Sequence, residues 1–84
     1  MVIEKQYVGK NEITNGEISY YLIKKDAVYG AELTEASQDK IISVLEFFSE
    51  DPYETLVFVN KLYEHCVTLV TLTDIIDDYI SVKN

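Results

Sequence analysis

The sequence predicts an α+β domain in which a four-stranded antiparallel meander is followed by two C-terminal helices packed on one face of the sheet. Three observations lead to this fold class. The first half of the chain is rich in tyrosine and β-branched residues with partial alternation, which is typical of strands. Short turn sequences separate these runs. The second half carries a helix start signal, followed by apolar residues at three- and four-residue spacing.

Residues 1–84 are expected to form a single domain, because the chain is short. Three strands are predicted in its first half, at about residues 2–8, 17–24 and 27–33. Asn15 and Gly16 lie between the first two runs. Asn-Gly is the strongest short hairpin signal, because both central residues of a type I′ turn need a positive φ. The segment KKDA at 24–27 predicts a second tight turn, so the three strands are expected to be antiparallel neighbours.

The run KIISVLEFF at 40–48 has apolar residues on every side, and both a buried strand and a helix fit that pattern. We predict a fourth strand, because the signals of a helix start come directly after it. Ser49 is a candidate N-cap, the next two residues are acidic, and Pro52 suits the first turn, where its missing N–H costs nothing. The two helices are therefore predicted at about residues 50–66 and 69–80.

Each predicted helix has an apolar stripe that is expected to face the sheet. In the first helix the stripe consists of Tyr53, Leu56, Val57, Asn60, Tyr63 and Cys66. In the second helix it consists of Leu69, Leu72, Ile75, Ile76, Tyr79 and Ile80.

Several short stretches of the chain resemble a family of short, uncharacterised bacterial proteins, mostly from Firmicutes, known as a domain of unknown function. The stretches are YYLI at 20–23, the Tyr29-Gly30 pair, the strand leading into an acid-started helix, and the closing TLVTLTDIIDDYI. The family's closing helix usually begins with Ser-Pro and has a His-Leu pair before an Asp. Here Thr68, Leu69 and Thr71 stand at the Ser, Pro and His positions, while Leu72 and Asp74 match. The resemblance covers about residues 19–80; it implies the fold and assigns no activity.

Acidic residues outnumber basic ones by 15 to 7, which gives a net charge of −8. This charge makes direct binding to nucleic-acid backbones or anionic membranes unfavourable. No apolar run approaches the length of a membrane span, no leader opens the chain, and the single cysteine excludes an internal disulfide. We therefore expect a cytoplasmic protein with neither nucleic acid nor membrane as its partner.

The only histidine lies beside the only cysteine, at His65-Cys66. Neighbouring helix residues point about 100° apart, so these two side chains diverge instead of forming a nucleophilic pair, and they are too few for a zinc site. We interpret Cys66 as a small buried hydrophobe and His65 as a polar residue at a helix end. All seven basic residues are lysine, so the bidentate arginine clamp is missing too. We expect no catalytic residue, no cofactor, no bound metal and no enzyme activity.

Apolar residues occupy both faces of the predicted sheet, although the two helices can cover only one of them. Ile18, Tyr20 and Leu22 alternate onto one face of the second strand. The opposite face of the sheet carries the candidate interface residues Tyr21, Ile23, Ile41, Leu45 and Phe47. A large exposed apolar patch usually marks an interface, and its occupant is either another protein or a second copy of the chain. Two alternatives leave no such patch: residues 40–48 form a helix, or the N-terminal strand and the loops cover this face.

The second helix carries a candidate acidic surface, formed by Asp74, Asp77 and Asp78. Asp74 and Asp78 are four residues apart on one helix face, where like charges slightly disfavour the helix. The leading hypothesis for the whole chain is a non-enzymatic protein-interaction or regulatory module that acts through the apolar sheet face. One alternative is an acidic inhibitor that imitates nucleic acid toward a basic protein. A weaker alternative is a metal-dependent enzyme that uses the three aspartates.

Overall fold

A computed structural model describes the backbone of residues 3–83 and the side chains as far as Asp78. The elements are β1 (Glu4–Ile13), β2 (Gly16–Lys25), β3 (Val28–Ser37), β4 (Ile41–Ser49), α1 (Pro52–Glu64) and α2 (Leu69–Lys83). The strands form one antiparallel sheet in the order β1-β2-β3-β4. The predicted fold class is confirmed, and residues 41–48 belong to a strand and not to a helix.

Tight turns join the first three strands. Asn15 and Asp26 adopt a positive φ of 68° and 57°, a conformation that Asn and Asp tolerate better than most residues. The expected type I′ turn over Asn15-Gly16 is wrong by one position. Gly16 already pairs with Ile13 as the first residue of β2 and has no positive φ, so the two turn residues are Thr14 and Asn15.

One hydrophobic core lies between the sheet and the two helices. Residues paired directly across neighbouring strands share a sheet face, and the pairs Tyr20–Leu33 and Leu22–Ala31 mark the face that the helices cover. The helices contribute Phe58, Val59, Leu62, Leu69, Leu72 and Ile76 to this core. Fully burying one such side chain stabilises a fold by about 1.5–3 kcal/mol. The contacts between the sheet and the helices are therefore a main source of the domain's stability.

The apolar stripe predicted for α1 is only partly right, because Leu56 and Tyr63 pack against the core but are not its most buried residues. The buried residues of this helix are Thr55, Phe58, Val59 and Leu62, whereas Tyr53 is 75% exposed. Two overlapping apolar stripes run along α1, and the predicted one faces the sheet only in part. In α2 the prediction agrees with the structure for Leu69, Leu72 and Ile76, which are buried, and Tyr79 and Ile80 lie beyond the described side chains.

Side chains cap the N-terminal end of α1. Asp51 is the N-cap, and its Oδ1 accepts hydrogen bonds from the backbone N–H groups of Tyr53 and Glu54 at 3.0 and 3.1 Å. Ser49, which the sequence suggested for this position, instead accepts a bond from the N–H of Asp51 at 3.0 Å. The entry into the helix is therefore held by two successive side-chain caps.

Candidate interaction surfaces

The face of the sheet opposite α1 and α2, which we call the helix-free face, holds the predicted interface residues. Its cross-strand rows include Tyr7, Tyr21, Glu32 and Leu45 in one line, and Lys5, Ile23, Gly30 and Phe47 in the next. Ile41 pairs with Ala36 on the same face, near the polar end of the sheet. The structure therefore brings Tyr21, Ile23, Ile41, Leu45 and Phe47 onto one surface.

These five residues differ in their access to solvent. Ile41 is 72% exposed and Leu45 is 41% exposed, so both present apolar surface to solvent. Tyr21 and Phe47 are half-buried. Ile23 has no exposed surface at all, so it supports the face from within and cannot touch a partner directly. The exposed part of the patch thus lies toward β4.

A buried carboxylate lies at the centre of the helix-free face. The Glu32 side chain is only 6% exposed, and its Oε1 lies 2.9 Å from the Nζ of Lys5. Oε1 is not aligned for a hydrogen bond with any donor in the described part of the chain, so the positive charge of Lys5 is what compensates it. The pKa of Lys5 is raised above its usual value by this close polar contact with Glu32 and by the carboxylate's negative charge.

Aromatic rings surround this ion pair. The Nζ of Lys5 lies 5.6 Å from the centre of the Tyr21 ring, within the range of a cation–π contact. Tyr7 packs its ring edge-on against Tyr21, with the ring centres 5.7 Å apart. The helix-free face therefore has an aromatic and charged centre between β1 and β3.

The opposite end of this face is polar. Lys10 and Glu17 form an exposed ion pair at 3.0 Å, and the hydroxyls of Thr34 and Ser43 lie 3.0 Å apart. The surface therefore changes from apolar and aromatic at one end of the strands to mostly polar at the other, where Ile41 is an apolar exception.

The acidic surface predicted on α2 lies on the opposite side of the molecule. Asp74, Asp77 and Asp78 are all exposed, and of the three only Asp78 lines an open groove between α1 and α2. The groove has a volume of about 800 Å³, and it is lined by Asp51, Tyr53, Glu54, Val57, Phe58, Lys61, Ile75 and Asp78. Apolar side chains thus stand next to three carboxylates and one lysine. Within the residues whose placement is described, no group of three or more His, Cys, Asp or Glu side chains could hold a metal ion.

The His65-Cys66 pair forms the C-terminal cap of α1. His65 is the C-cap, and Cys66 follows with a positive φ of 53°, the left-handed conformation in which helices usually place glycine. The N–H of Cys66 donates to Tyr63 O at 3.2 Å, and the N–H of Val67 donates to Leu62 O at 3.0 Å, which is a Schellman motif. Cys66 is exposed, so its interpretation as a buried hydrophobe is wrong. Its position is explained by the turn.

A polar contact that the sequence analysis missed ties this turn to the sheet. The Nδ2 of Asn11 donates to Tyr63 O at 2.7 Å, and the hydroxyl of Tyr20 donates to Val67 O at 2.8 Å. The pKa of Tyr20 is raised above its usual value by burial of the phenol. The partners are separated by 52 and 47 positions along the chain, so no local pattern announces them.

The family comparison covers almost the whole chain. A model described as a family of unknown function, DUF6514, matches residues 1–82. The chain belongs to the DUF6514 family. This confirms the predicted membership of a domain of unknown function and extends the match through β1. No curated protein and no solved structure matches this DUF6514 member. Within residues 3–83, neither helix is long and apolar enough to cross a membrane.

The residues that carried the resemblance serve the fold of this DUF6514 protein. Tyr20 and Leu72 are fully buried in the core. A Cβ on Gly30 would collide with the backbone carbonyl of Glu46 on β4, so a larger residue would force these strands apart. The Thr71 hydroxyl donates to Thr68 O at 3.2 Å in the first turn of α2. Asp74, by contrast, is exposed.

Proposed function

We propose that this DUF6514 protein is a non-enzymatic interaction module that binds another protein through its helix-free face, in the bacterial cytosol. One observation carries the proposal: the apolar residues predicted as an interface share a face that neither helix covers, and Ile41 and Leu45 on it are exposed. Exposed apolar patches of this kind usually mark contact sites.

The size of the face supports this function. Strands of 10 residues span about 33 Å, and four strands spaced about 4.8 Å apart span about 19 Å, which gives a face of roughly 600 Å². A standard protein interface buries about 800 Å² on each partner. The helix-free face is smaller than this standard, and its size is that of the smaller, transient protein–protein contacts.

The chemistry of the face also suits a protein partner. Interfaces combine aromatic and aliphatic residues at the centre with a polar rim. Tyr21 and Leu45 supply such a centre, and the Lys10–Glu17 pair supplies charged groups at one end. Because Glu32 is already compensated by Lys5, a partner needs to present an apolar surface and not a buried counter-charge.

The test is quantitative capture from a lysate of the source organism with three immobilised proteins: wild type, Leu45→Glu and Val70→Glu. Val70 on α2 is 87% exposed, so its substitution is a matched control for added charge on the other side of the molecule. We expect a protein that wild type and Val70→Glu both capture and that Leu45→Glu loses. If every captured protein is equally retained by folded Leu45→Glu, the helix-free face is not the binding surface.

A second candidate function is inhibition of a basic, nucleic-acid-binding protein by the acidic helices. The groove between α1 and α2 favours it, because Asp51, Glu54 and Asp78 stand beside the exposed apolar side chains of Tyr53 and Val57. Such a groove suits a cationic segment with an apolar anchor.

This second function predicts binding that weakens strongly with salt. A lysine-rich amphipathic peptide, titrated at low and at high salt, is the probe. Asp78→Asn should weaken its binding, while Asp39→Asn, which removes an exposed acid in the turn before β4, should change it little. Salt-insensitive binding, or equal effects of the two variants, would count against an acidic docking groove.

A further inference from the structure

The two edges of the sheet are protected very differently. The edge strand β1 carries Glu4, Lys5, Lys10 and Glu12, and its pairing with β2 is interrupted mid-strand by a bulge between Tyr7 and Gly9. Charges and bulges of this kind keep an edge strand from pairing with another chain. One edge of this sheet is thus closed to further strands.

The other edge strand, β4, lacks both devices over most of its length. Glu46 is its only charged residue, and its register with β3 is regular from Ile41 to Phe47. Ile41, Ile42 and Leu45 are 72%, 43% and 41% exposed. A long edge strand with exposed apolar side chains and almost no charge is a template for pairing with another strand.

We propose that β4 pairs antiparallel with β4 of a second copy of the chain, about a two-fold axis that passes through Ser43 perpendicular to the sheet. The two sheets then form one continuous sheet of eight strands, given four strands in each copy, with all helices on one side. This pairing forms through the backbone edge of β4, and it also brings together Ile41 and Leu45, which belong to the helix-free face. It does not rest on the function proposed above, because it requires no other protein.

The position of the axis follows from the side chains of β4. With the axis at Ser43, Ile41 lies opposite the second copy's Leu45, and Ile42 lies opposite the second copy's Val44. Lys40, which precedes the strand, then lies opposite the second copy's Glu46, so opposite charges meet twice across the symmetric interface. Within residues 40–46, each apolar side chain has an apolar neighbour, and the one acid has a base.

Neighbouring registers fit less well. An axis at Val44 places Ile42 opposite the second copy's Glu46, and an axis at Leu45 places Val44 opposite it instead. Both bury a carboxylate against an aliphatic side chain without a counter-charge, which is costly. The self-complementarity of residues 40–46 is what selects a second copy over an unrelated strand.

Thiol crosslinking tests the pairing and its register together. In a Cys66→Ser background, Ser43→Cys places two thiols directly opposite each other across the axis, where Cβ atoms are about 4.5–5.5 Å apart. A short bis-maleimide should then produce a covalent dimer in high yield. Lys10→Cys, an exposed position on the protected β1 edge, is the matched control and should remain monomeric. Preferential crosslinking of Leu45→Cys, or equal crosslinking of Lys10→Cys, would overturn the proposed register.

Charge-reversal variants, studied by sedimentation velocity, give a second test of the pairing. Glu46→Lys and Lys40→Glu each bring like charges together twice, so each should weaken the dimer about tenfold. The combined Lys40→Glu/Glu46→Lys protein restores opposite charges and should dimerise nearly as well as wild type. A wild-type chain that stays monomeric at every concentration, or folded single variants that dimerise as wild type does, would refute the pairing.

Discussion

We predict that removing Lys5 and removing Glu32 have unequal effects on the stability of the fold, although the two residues form one ion pair. Lys5→Met removes the cation and leaves a carboxylate that is 94% buried, since 6% of the Glu32 side chain is exposed. Glu32→Leu removes the buried charge itself, while the half-exposed Lys5 is free to turn into water. We expect the first change to be much more damaging than the second.

The size of each effect follows from the exposure of the two groups. Removing one partner of a fully buried ion pair costs about 3–5 kcal/mol. Because the Lys5 side chain is 50% exposed, water can reach the site after its removal, and we expect about 2–3 kcal/mol for Lys5→Met. Glu32→Leu should stay within about 1 kcal/mol of wild type, because replacing a buried charge with an apolar side chain is often nearly neutral.

The assay is urea unfolding followed by circular dichroism, at a low protein concentration so that self-association does not contribute. For a domain of this size, the loss in Lys5→Met corresponds to a fall in Tm of about 10–20 °C. The double variant Lys5→Met/Glu32→Leu should be more stable than Lys5→Met alone, because the uncompensated carboxylate is gone.

The control for this experiment is Lys10→Met, which breaks the exposed Lys10–Glu17 pair at a similar distance, 3.0 Å. Exposed pairs of this kind contribute little to stability, so this variant should be close to wild type. If Lys5→Met is as mild as Lys10→Met, or if Glu32→Leu is as damaging as Lys5→Met, the account of Glu32 as a compensated buried charge is wrong.

Three further changes test the core and the caps. Tyr20→Phe should lower the free energy of unfolding by about 1–2 kcal/mol at neutral pH, because Val67 O loses its donor. The pKa of Tyr20 is raised in the folded state, so the stability that its neutral hydroxyl contributes is fully present below the unfolded pKa of about 10 and is lost as the pH rises through the folded pKa. A difference in the free energy of unfolding between wild type and Tyr20→Phe that does not change with pH would contradict this. Asp51→Ala should lower the free energy of unfolding in urea by about 1 kcal/mol, because it removes the N-cap of α1. Asp39→Ala, which removes an acid that caps no helix, is the control, and equal losses of stability in the two variants would argue against the cap. Cys66→Gly should raise Tm slightly, because the left-handed conformation costs other residues about 1–2 kcal/mol while glycine loses about 0.5–1 kcal/mol in chain entropy; a lower Tm would show that the cysteine side chain contributes contacts of its own.

The sequence predicted the order of the elements because its local signals were strong. Pro52 and the acids before it marked the start of α1, and polar turn residues separated the strands. The extent of β1 was less visible: the expected strand ended near residue 8, whereas the actual strand continues to Ile13. The added residues are largely polar and lie on a sheet edge, where pairing with β2 and not hydrophobic alternation keeps them extended.

Alternation also placed the candidate interface residues on a common face, because the side-chain period of a strand is fixed by its geometry. It did not tell Ile23, which is completely buried, from Ile41, which is mostly exposed. That difference depends on neighbours from other strands. Glu32 was missed for the same reason, since nothing in its local sequence indicates that Lys5 from β1 lies against it.

The strands are paired in the order in which they occur along the chain, and this bears on how the protein is made. Each strand can find its partner as soon as the next one leaves the ribosome, and such nearest-neighbour topologies tend to fold quickly. The helices, which span residues 52–83, are synthesised after the sheet. Until they emerge, Tyr20 and Leu33 have no cover, and a nascent sheet is apolar on both sides. Translation of the helical segment is therefore the step that turns an aggregation-prone intermediate into a molecule with one covered sheet face and one uncovered sheet face.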